Sequence, residues 1–300
     1  MKKNWKSFAA LIVLVAFAVL AVTGCTGKGS KKNAVRVGSK NFTENLILAE
    51  IYALALEDSG ITVTRNFNLA SSLVHTAIVN NEIDLYPEYT GTGLLSVLKH
   101  DLVTDPDQVY KIVKDEYAKR FNLVWLDYAQ ASDGQGLVVT AKIAEKLGIK
   151  TISDLQKNAA SIRFASQGEF DQREDGIPVL TAVYGPFNFA SSKVYDNSLK
   201  YQVLLSGEAD AAPAYTTEGQ LATGDFVLLE DDKHVWPPYN IAPVVRQNVL
   251  ETYPAIAGIL NGVDAKITTS VITSLNAQVD VDKKEYEDVA KTFYASIAKK

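Results

Sequence analysis

Three tyrosines set beside prolines carry the most specific chemistry in this sequence. Tyr89 follows Pro87 in Leu85-Tyr86-Pro87-Glu88-Tyr89-Thr90, Tyr215 follows Pro213 in Ala211-Ala212-Pro213-Ala214-Tyr215-Thr216, and Tyr239 closes Trp236-Pro237-Pro238-Tyr239. The negative face of an aromatic ring attracts diffuse positive charge, at about 0.5–2 kcal/mol per ring and more where water is excluded. A quaternary ammonium offers no N–H to donate, so its recognition must come from such faces. The paired prolines stiffen the Tyr239 loop and hold its ring at a fixed angle. Each tyrosine taken alone also reads as a half-buried packing residue with its hydroxyl in water. Together, at strand ends and a proline-rich crossover, they point to one site.

Catalytic patterns are missing. His75, His100 and His234 are scattered, without the His-Glu-x-x-His spacing of a metal site. His75 falls in a helical pattern and reads as a surface or packing residue. There is no Gly-x-Ser-x-Gly, no Walker loop and no Gly-x-Gly-x-x-Gly on a strand–helix turn; Gly91-Thr92-Gly93 is only a fragment. Asp231-Asp232 adjoin Lys233 and read as a solvated turn. Nothing in the sequence argues for an enzyme, a cofactor or a bound metal.

The elements that must position the tyrosines follow an α/β pattern. Val35-Arg36-Val37 reads as a strand closed by Gly38-Ser39. Asn41 with Glu44 resembles a capping box, and Ile47, Ile51, Leu54 and Ala55 form a helical stripe that ends at Gly60. A strand over 61–67, a helix over 71–80 and a strand over 83–85 follow, a succession that requires parallel pairing with right-handed crossovers. Stretches 136–140, 163–165, 194–195, 211–214 and 226–229 read as further strands between helices, and the last 50 or so residues as mainly helical.

One segment is echoed later in the chain. Glu82-Ile-Asp84-Leu-Tyr-Pro87-Glu-Tyr89-Thr90 recurs as Glu208-Ala-Asp210-Ala-Ala-Pro213-Ala-Tyr215-Thr216, and Val35-Arg36-Val37-Gly38-Ser39 as Ile162-Arg163-Phe164-Ala165-Ser166. From Ser39 to Tyr89 is 50 residues and from Ser166 to Tyr215 is 49. The echo predicts two lobes of similar plan, each delivering a Tyr-Thr at the carboxyl end of a strand, where open α/β sheets gather ligands.

The amino terminus speaks to location. Lys2, Lys3 and Lys6 precede an apolar run from Phe8 to Val22, then Val22-Thr23-Gly24-Cys25. A basic start, a short apolar stretch and a small-residue cleavage site read as a secretory signal. The run, about 15 residues, falls short of the roughly 20 that a spanning helix needs, so an uncleaved anchor helix is the weaker alternative. Val-Thr-Gly-Cys resembles a bacterial lipobox, with Cys25, the one cysteine of the chain, as the lipidated residue. Thr26 to Lys32 reads as a flexible tether. Loss of the leader removes three lysines and no acids, which moves the net charge from −5 to about −8. That charge, spread along the chain without a basic stripe, argues against nucleic acid as a partner.

Four motifs in order then carry a family resemblance. Gly38-Ser-Lys-Asn-Phe-Thr-Glu44, Asp84-Leu-Tyr-Pro-Glu-Tyr-Thr-Gly-Thr92, Glu169-Phe-Asp-Gln-Arg-Glu-Asp-Gly176 and Asp232-Lys-His-Val-Trp-Pro-Pro-Tyr239 resemble the substrate-binding lipoproteins of glycine betaine/carnitine/choline ABC importers, the ProX/OpuC class. The resemblance implies a two-lobed, type II-like Venus-flytrap fold with a parallel-rich sheet in each lobe. It divides the chain into a signal peptide (1–24), a lipidated tether (25–32), one lobe (33–134 plus 239–300) and a second (135–238), with crossovers near Ser132–Gln135 and Trp236–Asn240. It implies a cage of Tyr89, Tyr215 and Tyr239, aided by the backbone carbonyl of Asp133, for a trimethylammonium group. A corner of Lys40, Thr92 and Arg173 would take a ligand carboxylate, a task that suits the fork of arginine and the point charge of lysine. An ion pair from Arg173 to Glu169 or Asp175 is the competing assignment. The family's fourth cage tyrosine is replaced here by Gln135, with Tyr128 nearby as a substitute. The implied partners are a small quaternary-ammonium ligand, ABC permease and ATPase subunits, and the membrane through a lipid anchor. Two other functions stay open: binding of a larger betaine of the ergothioneine kind, with Gln135 as hydrogen-bond partner, and ligand sensing without transport.

Overall fold

The computed structural model describes residues 34–298. The leader, Cys25 and the tether lie outside the described residues. Among these residues ten strands form two sheets: β1 (Val35–Lys40), β2 (Val63–Leu69), β3 (Leu85–Tyr89), β4 (Leu123–Trp125), β5 (Gln135–Thr140), β6 (Arg163–Ser166), β7 (Ser191–Val194), β8 (Ala211–Tyr215), β9 (Phe226–Leu228) and β10 (Ile241–Arg246). The first sheet runs β2-β1-β3-β10-β4 and the second β7-β6-β8-β5-β9. The echo in the sequence becomes an echo in register. Val37 lies opposite Leu85 in one sheet and Phe164 opposite Ala211 in the other. Tyr89 is the last residue of β3 and Tyr215 the last of β8.

Both sheets are mixed rather than parallel throughout. β10 runs against β3 and β4, and β5 runs against β8 and β9. The reason lies in where the chain enters. Gln135, the first residue of β5, lies opposite Tyr215, and Ile241, the first of β10, lies opposite Tyr89. A strand entered from the other lobe starts at the cleft, so it must run away from it.

Each sheet is covered on both faces, which explains why its central strands are apolar without strict alternation. In the first lobe, helix α1 (Thr43–Asp58) places Ile47, Ile51 and Leu56 against Leu260, Ile272 and Val289, while Val74, Ile78, Val113, Tyr117 and Trp125 fill the opposite face. In the second, Leu137 and Val139 face Ile152, Leu155 and Leu180, whereas Val138 faces Tyr201, Leu204 and Phe226. That split is the period-2 alternation of one strand serving two layers. His75, on helix α2 (Ser71–Val79), is a packing residue: its ring stands edge-on to Tyr117 at 5.4 Å and Phe121 at 4.7 Å.

One device is used twice. The Arg36 backbone N–H (2.8 Å) and Nε (2.9 Å) donate to Asp84 Oδ2, and Nη2 donates to Oδ1 (2.6 Å). Arg163 holds Asp210 in the same way, at 2.9, 2.8 and 2.7 Å. Each clamp ties the start of one strand to the start of the strand that ends in a tyrosine.

The capping box predicted at Asn41 and Glu44 is not formed. Helix α1 begins with Phe42 at the N-cap and no side-chain cap. Glu44 is instead buried and bonded to groups far along the chain.

Candidate functional site

A cavity of about 20 Å³ between the lobes is lined by Lys40, Phe42, Ser71, Tyr89, Thr92, Asp133, Gln135, Arg173, Tyr215 and Tyr239. All eight binding residues named from the sequence stand on its wall, with Phe42 and Ser71 in addition. Its volume is about that of one water, so a ligand can enter only if the lobes separate.

Buried glutamates fix the two strand-end tyrosines. The Tyr89 backbone N–H donates to Glu88 Oε1 at 2.8 Å, and Glu88 also accepts from Tyr86 Oη (2.9 Å) and pairs with Lys40. In the second lobe the Tyr215 N–H donates to Glu218 Oε2 at 3.1 Å, and Glu218 accepts from Tyr201 Oη (2.5 Å) and pairs with Lys200. Each lysine lies against a cage ring: Lys40 Nζ is 4.8 Å from the Tyr89 centroid and Lys200 Nζ 5.1 Å from that of Tyr215. Phe42 stands between the tyrosines, stacked on Tyr215 at 5.3 Å and tilted to Tyr89 at 5.9 Å. Tyr239 is held by its hydroxyl, which donates to Asp175 Oδ2 at 2.8 Å. Gly91 lets its ring lie on the backbone, since a Cβ there would sit 2.7 Å from ring carbons.

The charged corner is already paired. Arg173 donates from Nε to Asp175 Oδ1 (2.7 Å) and from Nη2 to Oδ2 (2.6 Å), so of the two ion-pair partners open in the sequence it takes Asp175. Glu169 accepts instead from Ser72 Oγ at 2.8 Å. Burial opposes the charged guanidinium, but Asp175 more than offsets this and raises the Arg173 pKa. Burial pushes the Lys40 ammonium down, and Glu88 offsets this only in part. The hydrogen bonds of Arg173 among the described residues run from Nε and Nη2, not from Nη1. Thr92 lines the same wall from the first residue of the helical segment Thr92–Val97 that follows β3.

Gln135 faces the cavity, with Nε2 at 3.4 Å from Asp175 Oδ2. Tyr128 does not take its place: its hydroxyl bonds to Asp107 and its ring packs on Tyr110 at 4.9 Å. Asp133 lines the cavity, and its side chain is buried. Its carboxylate accepts from the Thr217 N–H at 3.3 Å, and burial followed by the nearby charge of Glu44 pushes its pKa well up.

Sequence reasoning missed Phe42, Glu44 and Asp175 as site residues. Glu44 accepts from Tyr89 Oη (2.9 Å), Thr217 Oγ1 (2.5 Å) and Asn276 Nδ2 (2.9 Å), and thereby joins both lobes. Burial raises its pKa against the pull of those three bonds. The signal that could have found Phe42 and Glu44 is their place in the Gly38–Glu44 motif that supplies Lys40.

Residues 33–296 match the family described as the substrate binding domain of the ABC-type glycine betaine transport system. Over 259 residues the chain is 34% identical to the ergothioneine transport permease/ergothioneine binding protein of Helicobacter pylori (strain G27), covering 86% of this chain and 46% of that one. The chain thus spans about half the length of that relative. It is 31% identical over 291 residues to the glycine-betaine-binding protein of Pseudomonas aeruginosa, covering 93% of each. Among solved structures, a glycine betaine/carnitine/choline ABC transporter protein superposes with a TM-score of 0.70 at 28% identity, over 87% of this chain and 98% of the other.

Proposed function

This chain belongs to the family of substrate-binding domains of ABC-type glycine betaine transport systems, and from that premise we propose that it captures a small quaternary-ammonium compound and passes it to an ABC permease with its ATPase. The observation that carries the reading is the set of four rings, Phe42, Tyr89, Tyr215 and Tyr239, around one cavity whose walls come from both lobes. Such rings hold a methylated cation without needing a donor from it. Arg173 Nη1 and the Lys40 ammonium are then the groups for a ligand carboxylate, with Thr92 beside them. A ligand that touches both lobes binds the closed form better than the open one, which is what drives closure by hinge motion.

A thermal-shift panel of glycine betaine, carnitine, choline and larger betaines tests this. A ligand at about 100 times its Kd adds roughly 2.7 kcal/mol to the folded state. For a chain of this size that raises Tm by about 5–10 °C. An unmoved melt with every member of the panel would overturn the proposal.

A second reading has its own support. Gln135 stands where the fourth ring was expected, and its amide suits a ligand with a polar group beside the ammonium. The 34% relative named for ergothioneine binding fits that larger class.

For location, we read Cys25 as the lipid attachment point on the outer face of the cell membrane, from the Val22-Thr23-Gly24-Cys25 pattern. At least two acyl chains are needed for stable anchoring. Cys25→Ala is expected to move the protein from the membrane fraction to the soluble one or leave it unprocessed. Identical fractionation of variant and wild type would remove the anchor from the proposal.

A further inference from the structure

We propose that Asp175 is a positioning residue that sets the charge selectivity of the cage. By neutralising Arg173 it leaves a corner that bonds the polar end of a ligand without favouring a carboxylate over an uncharged group of the same shape. The inference rests on the binding function proposed above and deepens it, since it states which head groups the site tells apart.

Asp175 stands one layer behind the cavity wall. Its side chain is wholly buried, and three residues of the wall donate to it. Arg173 does so from Nε (2.7 Å) and Nη2 (2.6 Å), Tyr239 from Oη (2.8 Å) and Gln135 from Nε2 (3.4 Å). One carboxylate therefore orients the arginine, a cage ring and the amide at once. The loop that carries it is fixed. Trp236 Nε1 donates to the Asp175 carbonyl at 2.8 Å, and the Gly176 N–H to the Arg173 carbonyl at 3.0 Å. A Cβ at Gly176 would sit 2.0 Å from the Phe170 carbonyl oxygen, so only glycine lets the backbone fold back this closely.

The charges around the cavity cancel in pairs. Lys40 is matched by Glu88, with side chains 2% and 1% exposed, and Arg173 by Asp175, at 17% and 0%. Burial opposes the Asp175 charge, but Arg173, helped by Tyr239 and Gln135, more than reverses this and holds the carboxyl below its usual range. Asp175 is thus ionised at neutral pH. Its field also reaches the second cation of the corner. Burial pushes the Lys40 ammonium down, Glu88 and then Asp175 pull it back up, and Arg173 adds to the fall. The remaining carboxyl on the wall, Asp133, is pushed up by burial and next by Glu44, and it brings no positive charge. Both cations of the corner are balanced before any ligand arrives.

A buried site discriminates charge by its net field, because little water is left to screen it. A ligand carboxylate brought to Arg173 gains a charge-assisted hydrogen bond. It also gives up its hydration and meets the opposing field of Asp175 just behind the guanidinium. An amide or hydroxyl gains a weaker bond, loses less hydration and feels little of that repulsion. Gain and cost rise together from the uncharged group to the carboxylate, so the corner ranks the two close to each other. The trimethylammonium, held by ring faces, is required in either case.

Calorimetry with glycine betaine and glycine betaine amide tests this, since the two share one shape and differ in the charge of the head group. Glycine betaine is expected to bind wild type no more than about tenfold tighter than its amide. Asp175→Asn keeps the volume and an acceptor but leaves Arg173 uncompensated, so the ratio is expected to move toward glycine betaine by at least about tenfold. Loss of a merely structural residue would weaken both probes alike and leave their ratio in place. A larger preference for glycine betaine in wild type, or a smaller movement in Asp175→Asn, would overturn the inference and leave the binding function standing. Failure of both probes to bind wild type would overturn both. Should Asp175→Asn not fold, the wild-type ratio decides alone.

Discussion

Arg173→Ala is expected to cost the ligand-free protein about 3–5 kcal/mol of stability, and the double variant Arg173→Ala/Asp175→Asn to recover most of it. The Asp175 side chain is wholly buried, and it accepts from Arg173 twice, from Tyr239 Oη, from Gln135 Nε2 and from Ser96 Oγ at 3.3 Å. Burial alone would push that carboxyl up, and the guanidinium more than reverses this, leaving the pKa below the usual range. Removing one partner of a buried pair strands the other, and the stranded charge accounts for most of the loss. Asparagine keeps the shape and an acceptor without the charge. Because the folded pKa is depressed, the pair contributes at neutral pH, and its contribution fades as pH falls through the native Asp175 range. Urea titration reads both effects through Cm, with m as the control for compactness. A single variant as stable as wild type would mean that Arg173 does not hold Asp175 in solution, and would return it to the ligand alone.

The second large effect is expected at a glycine. Gly219→Ala should weaken ligand binding by roughly 5- to 150-fold while leaving each lobe folded. A Cβ at Gly219 would lie 2.4 Å from Ala277 Cα and 2.5 Å from its N, in the backbone of the helix Thr269–Asp280. Gly219 opens a turn of the second lobe, and that helix packs on α1 of the first. Side chains can rotate out of a clash, but helix backbone cannot, so the lobes must separate to make room. Overpacking of this sort costs about 1–3 kcal/mol. The cost falls on the closed form, to which ligand affinity is tied. Gly258→Ala is the control, since a Cβ there meets nothing within 4 Å. Calorimetry on the two variants separates the cases, and equal affinities would show that closure does not bring Gly219 onto Ala277.

How far the sequence reaches is visible in particular residues. Tyr89, Tyr215 and Tyr239 could be named because proline spacing and strand ends are local features, and the 50- and 49-residue gaps forecast two lobes of similar plan, to which the structure adds the matching registers Val37/Leu85 and Phe164/Ala211. Gln135 could be placed on the cavity wall from its motif. Glu44 could not be read correctly, because an Asn-x-x-Glu pattern is a local signal for a cap. Three partners from elsewhere, Tyr89, Thr217 and Asn276, outcompete that cap. The pairing of Arg173 was open between Glu169 and Asp175, and only the turn geometry chooses between carboxylates so close in sequence. The direction of β5 and β10 was hidden for another reason. Alternation in a strand reports which face is buried, never which end the chain enters first.

The clamps and glutamates also separate two events in time. What holds Tyr89, namely Glu88, Lys40 and the Arg36–Asp84 clamp behind β3, belongs to the first lobe; what holds Tyr215, namely Glu218, Lys200 and the Arg163–Asp210 clamp, belongs to the second. Tyr89 and Tyr215 are thus each fixed within one lobe, whereas Tyr239 is held across the cleft by Asp175. If the proposed cation settles first on Tyr89 or Tyr215, the association rate is expected to follow substitutions in that one lobe. The seam of Glu44, Thr217 and Asn276 joins the lobes only when they meet, so its loss is expected to show in the dissociation rate instead.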